Sequence, residues 1–150
     1  MAVLVGMVLA SAFAVAAQAE PGTQSELTAI SGQGAGFVSL SATAQDHVNL
    51  FVEDEVNIHD ALPDTNFIVQ RAVDFNPADV ANGVCTIAAG PPFGWQTQGT
   101  FTTSSGGAGT VHISGPRPPL SDTQFNIIIR VLSKDGTQLL RSDCMTITVK

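Results

Sequence analysis

Glu53-Asp54-Glu55 and Asp60 place four carboxylates within residues 53–60. That is the density a hard cation such as Ca²⁺ seeks for its six to eight oxygen ligands. The run lacks the D-x-D-x-D-G ladder of a calcium loop, and a solvated turn between two strands is the plainer account. His47, His59 and His112 show no H-x-H or H-x-x-x-H spacing, so a zinc or copper site would depend wholly on the fold. There is no G-x-S-x-G elbow. Ser104 and Ser105 lie in a Gly-rich turn with no helix after it, and a Ser-His-Asp triad would have to assemble in space. No catalytic residue, metal or cofactor is therefore assigned.

The loop Gly90-Pro91-Pro92-Phe93-Gly94-Trp95 carries a different chemistry. Proline stiffens it, and Phe93 and Trp95 can offer an aromatic platform to a sugar or peptide. Arg117, inside Gly115-Pro116-Arg117-Pro118-Pro119, adds a lone cation on a second rigid loop. Phe93, Trp95 and Arg117 are the candidate ligand-binding residues. The competing account folds both rings over the open end of the domain near Cys85. For Trp95 that account is expected, with truncation to alanine costing about 3–5 kcal/mol.

These residues need a frame, and the chain's ends and cysteines define it. Met1–Ala19 carries no charged side chain, is mostly apolar and ends Ala17-Gln18-Ala19. That is the layout of a secretory signal peptide cleaved before Glu20. A membrane anchor would want roughly 20 apolar residues with charged flanks; here the stretch is short and Ala-rich, and no membrane insertion is expected after cleavage. No Cys near Ala19 offers a lipid-attachment point. In an oxidising compartment Cys85 and Cys144, the only two cysteines, pair as a structural bridge. Metal or redox pairs would need closer spacing such as C-x-x-C.

All thirteen acidic and six basic residues follow Ala19, so the net charge of −7 belongs to the mature part. That charge argues against nucleic acid or an anionic membrane as partner. About 131 residues remain, enough for one domain with a real core.

Glu20–Gly36 is rich in Gly, Ser, Gln and Thr and reads as a flexible N-terminal arm, with pairing as an edge strand the variant. From Phe37 onward, short alternating runs separated by turn residues predict strands at Phe37–Ser41, His47–Val52, Glu55–Asp60, Asn66–Asp74, Gly99–Thr103, Gly109–Ile113, Gln124–Leu132 and Leu139–Lys150. Leu62-Pro63-Asp64-Thr65 is a turn. Phe75–Gly94 is a long surface connection with a short extended piece near Val84–Ile87. Ser104–Ala108 closes a hairpin. Seven or eight strands with no helical apolar period predict an all-β domain over residues 37–150, an antiparallel immunoglobulin-like β-sandwich with Greek-key connections.

The succession Leu62-Pro63-x-Thr65-x-Phe67-x-Val69-Gln70-Arg71-Ala72, Gly83-Val84-Cys85 and Trp95 leading into Gly99–Thr103 resembles a group of small secreted bacterial proteins of unknown function. The Gly106-Gly107-Ala108-Gly109-Thr110-x-His112 segment and the closing Leu140-Arg141-Ser142-Asp143-Cys144 fit the same pattern. The likeness spans Leu62 to Lys150 and implies an extracellular all-β domain with Cys85 and Cys144 paired. It supplies no reaction. The expected function is a non-enzymatic secreted or cell-surface structural or binding module whose partner is an extracellular protein or glycan. A glycan- or peptide-binding domain using the aromatic loop is the first alternative, and a metal-dependent extracellular enzyme the second.

Overall fold

Nine strands form the described part of a computed structural model, which covers residues 23–46, 49–117 and 124–148. In chain order the strands are β1 (Thr23–Ser31), β2 (Ala35–Asp46), β3 (Asn49–His59), β4 (Asn66–Asp74), β5 (Gln96–Thr102), β6 (Gly109–Arg117), β7 (Gln124–Ser133), β8 (Leu139–Ser142) and β9 (Met145–Thr148). Among the described residues a single helix, α1 (Pro77–Asn82), lies between β4 and β5. All pairings are antiparallel, in the order β5-β4-β7-β8-β1-β2-β3-β6, and β9 continues along the β7 edge that β8 begins. The all-β antiparallel class is as expected. The Met1–Ala19 segment lies outside the described residues, and no described helix is long and apolar enough to cross a membrane.

The expected arm is instead β1, an inner strand. Leu27 is 1% exposed on its inward side, and β1 pairs with β2 through Thr23↔Leu40 to Thr28↔Ala35 and with β8 through Leu27↔Ser142. Thr23 and Ser25 share the inward side with Leu27 and are partly buried, while Gln24, Glu26, Thr28 and Ile30 point outward, so only one bulky apolar residue of β1 enters the core. Without β1 the ladder would fall into two sheets, β5-β4-β7-β8 and β2-β3-β6. With it, one sheet curls nearly into a barrel: the two ends meet where the Gly99 backbone lies against Ile113 and Gly109 against the Phe101 ring.

The inward faces fill that curl. Val38 and Val56 are 0% exposed, as are Phe67, Ile129, Val131 and Leu140, and Phe101, Val111 and Ile113 pack against them from the β5–β6 side. Phe67 and Phe101 stack with centroids 5.8 Å apart. Gln138, 2% exposed, closes one end: its amide accepts from Leu62 N–H at 3.1 Å and donates to the Gln33 carbonyl at 2.9 Å.

Three local expectations change. The strands expected at 47–52 and 55–60 run together as β3; His47 and Val48 lie outside the described residues. The expected hairpin turns, but its arms do not pair. β5 joins β4 and β6 joins β3, because loop 103–108 bonds to residues 61–65 instead: Ala61 N–H to Gly107 O, Asp64 N–H to Ser104 O and Thr103 N–H to Thr65 O. Gly107 is required there, since a Cβ would sit 2.2 Å from the Ala61 oxygen and φ is +74°. Finally, Val84–Ile87 forms no strand, and the connection holds α1, capped by Asn76 with Pro77 in the first turn and Gly83 left-handed after it. The helix buries no residue, so it left no apolar period to read.

Candidate binding surface

β7 is buried on both faces from Phe125 to Ile129, the polar Asn126 included. Inward, Phe125, Ile127, Ile129 and Val131 join the core. Outward, Asn126 and Ile128, 0% and 7% exposed, lie under the 75–95 connection.

Four latches hold that connection down. The buried Asn126 amide donates to the Asp79 carbonyl at 3.0 Å and the Val84 carbonyl at 2.6 Å, and its oxygen accepts from Thr146 at 2.7 Å. Asp74 accepts from the backbone N–H of Asn76 at 2.9 Å and of Thr86 at 2.7 Å, spanning α1. Val73 N–H bonds to the Phe93 carbonyl at 2.9 Å. Cys85 and Cys144 are joined in a disulfide, as the sequence implied. Cys144 sits between β8 and β9, where the register along β7 slips by one residue; such a bulge re-aims a side chain.

Burial works to raise the Asp74 carboxyl, yet the Asn76 and Thr86 N–H groups and the Asp79 side chain outweigh it, and its pKa falls below the ordinary 3.8. A depressed folded pKa contributes stability that is present above the unfolded value and lost as pH falls through the folded one. Urea midpoints should therefore drop below about pH 4 in the native chain, and Asp74→Asn should lower the midpoint at pH 7 while flattening this acid limb. An acid limb equally steep in the variant would remove Asp74 as a source.

At the end of the connection, Gly90–Gly94 makes a tight turn closed by Gly94 N–H to Gly90 O at 2.9 Å. A Cβ on Gly94 would stand 2.6 Å from the Ala88 oxygen, so only glycine fits. The two aromatic rings then part company. Phe93, 45% exposed, meets Phe75 edge-on at 5.2 Å, and Phe75 leans on Phe125 of the core. Trp95, half-buried, lies on the outer face of the sheet with the Arg130 guanidinium carbon 4.1 Å from its ring centroid. It does not cap the barrel interior. The Arg130 Nε–H donates to Gln70 at 2.8 Å, and the Gln70 amide donates to Thr97 at 3.2 Å, so three adjacent strands share one polar row beside the ring. Arg141 stands directly opposite Arg130 across β7–β8. Partial burial lowers the Arg130 pKa below its ordinary value.

Arg130, Gln70 and Arg141 were not among the sequence candidates. The available signal was the outward register of β7, where a cation follows Asn126 and Ile128 on the covered side. Arg117 ends β6 opposite Leu50, with its side chain outside the described residues.

The carboxylate run does not converge. Strand alternation turns Glu53 and Glu55 outward and Asp54, 2% exposed, inward. Glu53, Glu55, Ser39, Ser41, His112 and Ser114 edge a groove of about 250 Å³ on β2-β3-β6. There Glu55 accepts from Asn57 at 2.9 Å and lies 3.9 Å from His112 Nδ1. His59 pairs with its neighbour Asp60 at 2.8 Å. Among the described residues no three His, Cys, Asp or Glu side chains group as metal ligands. Ser104 Oγ accepts from Gly106 and Ala108 N–H within its own turn, which is a structural task. In comparisons with known proteins, no family model and no curated sequence matches the chain.

Proposed function

We propose that the chain is a non-enzymatic extracellular binding module whose ligand surface is the outer row around Trp95. The observation that carries this reading is the Trp95 ring, partly exposed at the end of a four-point-latched loop and stacked with Arg130. A ring fixed on a rigid sheet binds with little loss of freedom, and aromatic and arginine side chains are the usual anchors of binding surfaces. The Gln70 amide and Thr97 hydroxyl beside it favour a polar, hydroxyl-rich partner, hence a glycan over an apolar peptide. The extracellular address rests on the leader-type Met1–Ala19 segment and the Cys85–Cys144 bridge. The likeness to small secreted bacterial proteins supports the same address, with one curled sheet standing for the expected sandwich.

A glycan array probed with the native protein and with Trp95→Ala tests this. Retention on at least one glycan class, lost about tenfold or more in the variant, is the expected result. Absence of retention by the native protein, or equal retention by the variant, would remove the surface. Trp95→Ala should remain folded and lower stability by about 1–2 kcal/mol, the loss of one partly buried cation–π contact and modest packing. A loss of 3–5 kcal/mol in urea would instead restore the core-capping account.

A further inference from the structure

Arg130 and Arg141 face each other across β7–β8 on the outer side of the sheet. Side chains directly opposite in an antiparallel pair are neighbours, and like charges there are destabilising. The chain has thirteen acidic residues against six basic ones, yet among the described residues neither guanidinium forms an ion pair. The row they occupy holds no acid at all. It reads Thr97, Gln70, Arg130, Arg141, Thr28 through the registers of β5, β4, β7, β8 and β1, about 19 Å at the ~4.8 Å strand spacing. Two forked cations sit at the centre with an amide and a hydroxyl on one side and a hydroxyl on the other.

We infer that this row binds an acidic saccharide: Arg130 and Arg141 clamp one sugar carboxylate, and the hydroxyl and amide groups at either side, with the Trp95 edge, take the adjoining neutral sugar. Guanidinium forks match carboxylates in two-point hydrogen bonds, and the ligand's charge relieves the repulsion between them. A net charge of −7 repels a dense polyanion, so the carboxylate must be spaced among neutral units. The inference rests on the binding-surface reading above and assigns its ligand class.

The test uses the emission of Trp95, the only tryptophan in the chain, and calorimetry, with matched probes: cellobiuronate against cellobiose, galacturonosyl-galactose against galactobiose, and triglutamate peptide. The expected result is binding of one uronate about tenfold tighter than its neutral partner, weakened by salt. Arg141→Gln should abolish that difference, while Lys134→Gln, which removes the same charge at the exposed β7–β8 turn, should keep it. Arg141→Gln should also raise the Tm of the unliganded protein by about 1–3 °C, as the facing charge is removed. Equal binding of acidic and neutral sugars would overturn the inference and leave the surface standing. Triglutamate binding as tightly as the uronates would replace the saccharide with an acidic peptide. A lowered Tm in Arg141→Gln would make that residue structural and overturn the clamp. If no probe moves Trp95 emission or releases heat, surface and clamp both fall.

Discussion

Replacing Cys85 and Cys144 together by alanine is expected to lower the free energy of unfolding by about 4 kcal/mol, less any relief of strain. The bridge spans 59 positions of sequence, and closing a loop of that length acts by restricting the unfolded chain rather than by adding contacts to the folded one. The loss should be read from urea midpoints and confirmed by adding reductant to the native protein, which should reproduce it. The bridge also has a local task, because it ties the 75–95 connection to the β8–β9 bulge. Trp95 emission should therefore shift in the double variant under conditions where far-ultraviolet circular dichroism still reports a folded sheet. A variant within about 1 kcal/mol of the native protein would mean that the hydrogen-bonded latches at Asn126, Asp74 and Val73 hold the connection without the bridge.

Strand alternation made most of the sheet legible. Val56 and Ile58 face in and Asn57 and His59 face out, while Phe67 and Val69 oppose Ile68 and Ala72, all as the period of two requires. What the pattern concealed was β1. A strand whose single bulky inward residue is Leu27 shows no run of alternating apolar residues, and its Ser, Thr and Gln content reads as coil. Since β1 joins two groups of strands, missing it turned one curled sheet into two stacked ones. Partner choice was equally hidden. The Ser104–Ala108 turn is visible in the sequence, but the bonds drawing residues 103–108 onto 61–65 involve backbone groups about forty residues apart, which no local signal encodes.

The candidate surface was half legible for the same reason. Phe93 and Trp95 stand out by type, and the proline-stiffened turn beside them is plain. Their separation, with Phe93 against Phe75 and Trp95 over Arg130, depends on where the connection lands on β7. The pairing of Arg130 with Arg141 is a property of register, fixed by the Lys134–Gly136 turn between β7 and β8. Conversely, the four carboxylates at 53–60 were conspicuous in sequence and dispersed in space, because a strand sends consecutive side chains to opposite faces.

Asn126 gives the second large effect. Asn126→Leu keeps the branched outline of the side chain but removes both amide donors from the Asp79 and Val84 carbonyls and the acceptor from Thr146. The Asp79 carbonyl keeps its bond from Val84 N–H, but the Val84 carbonyl and the Thr146 hydroxyl lose theirs, so the variant should lose about 1–3 kcal/mol in urea. Its signature distinguishes it from a core truncation. Because the amide sits on the outer face of β7, hydrogen exchange should rise first in 79–86 and at Val73, whose N–H is held by Phe93 O, before it rises in β2, β3 or the inner face of β7. The Trp95–Arg130 stack should loosen with it and any ligand affinity should fall, although no residue touching the ligand has changed. Uniform acceleration across every strand would instead place Asn126 in the global core, and the connection would not be the separately latched platform described above.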